Sequence, residues 1–417
     1  MIESESRKRS WSAIGLLLLV NLVALSFFYS PGTGDVSIWH QWISQISAFG
    51  LVGGFAHSGT DYPPLSFVIL AATSRFADAL GASTLLLLKS SLLLFLVGTS
   101  ICFYWFTRNL VLTAALEFSL VLNSVSLAYL DIYFAPFLIA GLFLLQRGHL
   151  NVGFLLYAIS CATKWQPLLI APFVCIYVLS VPNEGAIARD KLKRQILPFA
   201  LAAVILAIPL VLVFGVAVFD SLNRALTWHR FLSANALNFS WLHTWALHLT
   251  QPEKYGSLQD GEIYIFLTRD PTVVWPEKVL FYLSYLSLFV AFLRQEKTFE
   301  RLILYSILGY IAYFIFNTGV HENHLFLVCC LAWILVFVNS DHLVRGLNFS
   351  LAANANLFLF YGISGERFHR VIAGVDITVF FAVANICLFV GLLVHTLKTD
   401  GIDLGFVKLQ PRHAPTA

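Results

Sequence analysis

Leu65-Ser66-Phe67-Val68-Ile69-Leu70-Ala71-Ala72-Thr73-Ser74-Arg75-Phe76-Ala77-Asp78-Ala79-Leu80 is apolar enough to pass for a membrane span, and whether it spans decides the topology of everything that follows. Arg75 and Asp78 argue against it, because charges at membrane depth are expensive. Parity agrees. With 65–80 on the surface, helices follow at about 84–106, 110–128, 132–146, 150–163, 166–180 and 195–219. The loops at Arg108, Arg147 and Arg189-Asp190-Lys191-Leu192-Lys193-Arg194 then share a side with Arg7-Lys8-Arg9, as the positive-inside rule requires. A spanning 65–80 would send all three loops to the opposite side. The stretch is therefore read as an interfacial helix.

Working outward, the 417 residues are 58% hydrophobic and only 12% charged, far from the roughly one quarter charged of a soluble domain. The composition is that of a polytopic, all-α membrane protein. A net charge of +3 spread over many short loops forms no basic patch, so no nucleic-acid partner is expected. Arg7-Lys8-Arg9 precedes an apolar run from about Ile14 to Phe28 with no small-residue cleavage site, which reads as a retained signal anchor. After a second long loop come helices near 276–293, 301–318, 322–339, 348–361 and 373–396. Arg294, Lys297 and Arg301, then Arg345, then Lys398, Lys408 and Arg412 again fall inside, giving about 12 transmembrane helices with both ends cytoplasmic. External loops 31–82 and 220–275 carry interfacial helices. Two modules are expected, 1–275 with both long external loops and a C-terminal transmembrane module over 276–417.

The helices 132–146, 150–163 and 166–180 fall short of the roughly 20 residues that cross the hydrocarbon. Backbone that ends at membrane depth must line an enclosed or watery space, so their outer ends predict a cleft, with Asp131 and Lys164 at its wall. The six cysteines, Cys102, Cys161, Cys175, Cys329, Cys330 and Cys387, all sit in apolar runs without ligand spacing and read as packing residues. No metal and no cofactor is expected.

Short motifs recur on the external side in chain order. They are Gly34-Asp35, with Trp42 seven positions beyond the aspartate, then Asp61-Tyr62-Pro63-Pro64-Leu65, then Thr163-Lys164-Trp165-Gln166, Asn238-Phe239-Ser240-Trp241 and Val320-His321-Glu322. In this order they resemble the GT-C superfamily of membrane glycosyltransferases, and most closely the dolichyl-phosphate-glucose glucosyltransferases of asparagine-linked glycosylation. Where those enzymes carry a lysine after the His-Glu pair, this chain has Asn323-His324. The resemblance implies an inverting hexosyltransferase. Its donor is a polyprenyl-phosphate (dolichyl-phosphate) sugar, and its acceptor a lipid-linked or cell-envelope glycan on the external or lumenal face. The compact length and single methionine favour a bacterial plasma membrane over the endoplasmic reticulum.

In the family the aspartate of the first loop is the general base, and Asp35 is the matching position. Transfer from a phosphate leaving group needs one base and no acid, because the phosphate departs as an anion. The alternative for Asp35 is a helix cap. Asp61 and Tyr62 stand where an acidic cap meets a proline-led helix start, so Asp61 either shapes the loop or binds sugar hydroxyls. Lys164 needs an anion, either Asp131 or the donor phosphate, and Gln166 lies beside it. His321 and Glu322 are implied to contact the donor; with His324 they also raise a metal reading, which lacks HExxH spacing. Trp228, His229, Arg230, Asn235, Asn238 and Trp241 offer stacking faces and, in Arg230, a phosphate grip, against a plain aromatic belt. Arg367 and Arg370 are further phosphate or headgroup ligands. The Asn238 sequon is not expected to carry a glycan. A different class, a secondary transporter or lipid flippase, would place its charges midway along helices and repeat its halves. No repeat is present here.

Overall fold

The computed structural model describes residues 2–180, 196–227 and 229–401. The basic loop 189–194, Trp228, Lys408 and Arg412 lie outside the described residues, as do the side chains of Arg7, Lys8, Arg9 and Asp78. The chain is an all-α, membrane-embedded protein, its strands being two-residue pieces. Among the described residues five helices are long and apolar enough to cross a membrane: Thr84–Thr107, Ile196–Phe214, Pro271–Arg294, Phe299–Phe316 and Thr378–Thr399. Phe299–Phe316 is 78% buried against 11–33% for the other four, which makes it the central post, while the others present apolar faces outward. One large apolar cluster runs from Val20 to Leu392 and surrounds that post.

The first helices are α1 (Ile2–Ser26), α2 (Asp35–Ser58, broken at Gly50) and α3 (Pro64–Leu80). α3 buries one face, with Phe67, Leu70 and Ala71 in the core. Then come α4 (Thr84–Thr107), α5 (Leu110–Val121), α6 (Ala135–Gln146), α7 (Leu150–Thr163) and α8 (Ala171–Ser180). Local chemistry sets their starts: Ser83 and Asn109 accept hydrogen bonds from Leu86 N and Leu112 N, so each covers an otherwise orphaned donor of the first turn.

The short helices are bounded by irregular backbone inside the protein, and Asp131 and Lys164, expected at the wall of a cleft, are buried. α5 unwinds through a π turn, Leu122–Ser126; α6 is preceded by a 3-10 turn, Leu130–Tyr133; α8 is preceded by another, Gln166–Ile170. Nearly all of Val125–Ala135 is fully buried. The π turn frees backbone carbonyls inside the protein, and Lys89, in the second turn of the apolar α4, answers them. Its ammonium donates to Val125 O at 2.5 Å, Ser126 O at 2.7 Å and Ser30 Oγ at 2.9 Å. A cation on the last carbonyls of a helix satisfies both the lone pairs and the dipole.

Candidate functional site

Asp35 is the first residue of α2, and the chain before it is tied down on two sides. Gly32 N donates to Ser364 O at 3.2 Å and Thr33 N to Leu127 O at 3.1 Å, while Trp39 Nε1 donates to Ala128 O at 2.9 Å. Gly365 has φ +103° and lies so close to Gly32 that an added Cβ would sit 1.9 Å from the Gly32 carbonyl oxygen. Only glycine fits there. The cap reading of Asp35 finds no support, because α2 has no side-chain cap and the Asp35 carboxylate makes no hydrogen bond among the described residues. The side chain is half-buried. Burial pushes its carboxyl up to about 6, opposed by the Lys164 charge and reinforced by Asp131 and Asp61.

Lys164 follows α7 directly and pairs with Asp131 at 3.0 Å, Asp131 being fully buried. Asn323 and Asn123 also donate to Asp131, at 2.7 and 3.3 Å. Lys164 donates to the Tyr62 hydroxyl and lies 3.7 Å from the centre of the Tyr62 ring, which packs edge-on against Trp39 and Trp42. Tyr62 is thus held between the cation and two indoles. Gln166, two residues on, is buried with both amide atoms unpartnered among the described residues, as is the buried Trp165 Nε1 beside it. Each such group costs about 1–3 kcal/mol unless a ligand or water meets it.

Asp61 does not act as a cap. Its carboxylate lies 3.1 Å from His229 Nε2, and His229 Nδ1 lies 3.1 Å from His321 Nε2. Burial pushes the Asp61 carboxyl up, but the His229 hydrogen bond and charge, with Lys164 and His321, outweigh it and hold it below the usual carboxylate range. His321 is placed by a parallel pair of two-residue strands, β1 (Ser233–Ala234) and β2 (Val320–His321). Gly319, at φ +73°, lets the two segments close: a Cβ there would lie 2.9 Å from His229 Cβ. Glu322 is buried and accepts from the hydroxyls of Tyr129 and, at 3.1 Å, Tyr361.

Three of the external-loop candidates fall away from this cluster because their polar side chains are engaged elsewhere in the protein, although Arg370 Nε makes no hydrogen bond among the described residues. Asn238 is fully buried, accepts from Trp241 N at 2.9 Å as the cap of the helix Phe239–Thr250, and donates to Phe314 O at 2.8 Å. Trp241 is a core residue whose Nε1 donates to Thr378 Oγ1 at 2.8 Å and whose ring meets Phe360 edge-on. Arg370 is buried and engaged by Glu262 at 3.2 Å and Asp376 at 3.5 Å. Asn235 donates to the Tyr361 hydroxyl at 3.2 Å, behind Glu322. Arg230 behaves differently. With Arg269 and Lys278 it lines a cavity of about 200 Å³ whose wall also includes His229 and Trp275, and none of the three cations is ion-paired among the described residues. Arg367 is exposed.

The site therefore gathers Asp35, Asp61, Tyr62, Asp131, Lys164, His229, His321 and Glu322, joined by direct contacts or mutual electrostatics, with the basic cavity beside them. Sequence reasoning gave no role to Lys89, Tyr129, Asn123, Arg269 or Lys278. For Lys89 a signal existed, a single cation in an otherwise uncharged 24-residue helix. For the tyrosine and asparagine none did, since their chemistry differs from that of ordinary packing residues only once Asp131 and Glu322 are seen beside them. No group of three or more His, Cys, Asp or Glu side chains among the described residues is arranged to hold a metal. No protein-family model matches the chain, and no curated protein matches it.

Proposed function

We propose that this protein is an inverting, GT-C-type glycosyltransferase of about twelve spans. It moves a hexose from a polyprenyl-phosphate donor to a lipid-linked or envelope glycan on the external face of a bacterial plasma membrane. The observation that carries this reading is Asp35: a carboxylate that caps no helix and makes no hydrogen bond among the described residues, at the edge of a buried charge cluster drawn from distant segments. In the proposed step the acceptor hydroxyl attacks the sugar C1, the C1–O bond to phosphate breaks, the phosphate leaves with its electron pair, and the hydroxyl proton passes to Asp35. One base is enough, because the leaving anion needs no proton. The cavity of Arg230, Arg269 and Lys278 supplies charge for that anion, and the unpartnered Gln166 amide supplies hydrogen bonds that a sugar can take up.

The reading is tested by mass spectrometry of lipid-linked and surface glycans from cells lacking the protein. Loss of one defined sugar, restored by the wild-type chain, supports it; unchanged glycans overturn it. Two further predictions follow from the same site. The base must be a carboxylate, and burial raises Asp35 to about 6, so the acid form dominates below that pH. The transfer rate is therefore expected to fall about tenfold per pH unit below it, and to level off above. A rate independent of pH across that range removes Asp35 from the role. In the cavity, Lys278→Met or Arg269→Gln is expected to raise the donor KM about 10- to 100-fold with little change in kcat, the value of one charge-assisted hydrogen bond. An unchanged donor KM in both variants places the phosphate elsewhere.

A further inference from the structure

We propose that Asp61, His229 and His321 form a proton relay whose working end is Nδ1 of His321, an acceptor for a substrate hydroxyl proton whose charge is stored on the His229–Asp61 pair. Asp35 takes the proton of the attacking hydroxyl in the reading above, so in sugar transfer the relay would serve a second hydroxyl of the bound substrate, a use that rests on that reading; the relay itself is a property of the resting protein. Three side chains stand in line, with 3.1 Å from Asp61 Oδ2 to His229 Nε2 and 3.1 Å from His229 Nδ1 to His321 Nε2. Each contact holds one proton, and the charge on Asp61 sets the direction. An ionised carboxylate only accepts, so His229 donates from Nε2. A neutral His229 then has a bare Nδ1, which accepts from His321 Nε2, and a neutral His321 is left with a bare Nδ1. That nitrogen carries no hydrogen bond among the described residues. The chain thus selects one tautomer of His321 from two residues away, as the aspartate does for the histidine in a catalytic triad.

When a hydroxyl gives its proton to His321, the O–H bond breaks and Nδ1–H forms. The Nε2 proton of His321 crosses to His229 Nδ1, and His229 becomes an imidazolium against Asp61. His321 ends neutral, in its other tautomer. Charge resides on His229 rather than His321 because of what surrounds each ring. His321 faces His229, Lys164 and, at 5.5 Å between ring centres, His324, with Asp61 as the nearby acid. Burial, then the charges of His229 and Lys164, hold its imidazolium form well below the usual range, with Asp61 opposing. His229 has the Asp61 carboxylate in direct contact. In this scheme His229 is a positioning residue, kept in reach by the glycine at 319.

The test is NMR of ring-labelled histidine in the full-length protein in lipid nanodiscs, with the two rings assigned from His229→Gln and His321→Gln. The expected result in mildly alkaline buffer is a neutral His321 protonated on Nε2. On acidification His229 becomes doubly protonated while His321 stays neutral and moves its proton to Nδ1; in Asp61→Asn this tautomer exchange disappears. A His321 protonated on Nδ1 from the start, or doubly protonated before His229, overturns the relay. If Asp61→Asn does not accumulate, the wild-type spectra decide alone. Because no sugar donor is present, this outcome is independent of the glycan measurement: the relay can stand with transfer undetected, and transfer can stand with the relay refuted.

Discussion

Asp35→Asn is expected to accumulate and insert as the wild type does, and to lose sugar transfer by about 10³-fold, within the range that removal of a general base produces. Shape is preserved, since asparagine is isosteric. Stability should change little, because the carboxylate it replaces makes no hydrogen bond, and burial with Asp131 and Asp61 nearby already disfavours its charge. What disappears is the only chemistry an amide cannot supply, acceptance of a proton at neutral pH. Reconstituted enzyme with a labelled polyprenyl-phosphate sugar measures it directly. Near-wild-type turnover would remove Asp35 from the reaction, leaving its position beside Lys164 as an accident of the loop.

Lys164→Met is expected to have the opposite signature: a protein that accumulates poorly, destabilised by about 3–5 kcal/mol. The substitution leaves the Asp131 carboxylate fully buried, with only the amides of Asn323 and Asn123 to meet it. An uncompensated buried charge is among the most damaging defects a core can hold. It also removes the donor to the Tyr62 hydroxyl and the cation over its ring, so the aromatic packing with Trp39 and Trp42 loosens as well. The double variant Lys164→Met with Asp131→Asn is expected to recover most of the accumulation, because the orphaned charge is gone. Yield of monodisperse protein and its thermal unfolding midpoint decide the matter. A single variant as stable as the wild type would mean that the pair contributes nothing to folding and that Lys164 is kept for an anionic ligand.

The sequence by itself determined the class of this protein and the place of several of its helices, but not the helix Asp35–Ser58, which lies in a stretch read as loop. Hydrophobic run length and charge placement require no tertiary information, because a segment's transfer to a bilayer depends on its own composition. On those grounds the helix over 150–163 was legible, whereas the π and 3-10 turns that interrupt the runs 110–128, 132–146 and 166–180 were not. Legible too were the residues able to do chemistry, since an aspartate beside a membrane or a lysine between apolar helices stands out in any reading. What those residues do was decided by the tertiary structure. Asp61 could cap a helix or bind a partner, and its partner turned out to be His229, 168 positions away in the chain. Asn238 and Trp241 looked like ligand contacts but are consumed by a cap and a core hydrogen bond. Arg370 is engaged by Glu262 and Asp376, while Arg230, beside Arg269 and Lys278, has no ion pair among the described residues. The physical reason is common to all of them. A polar side chain has few hydrogen-bonding sites, burial requires that they be filled, and only the folded arrangement determines which neighbour fills them and which sites remain for a ligand.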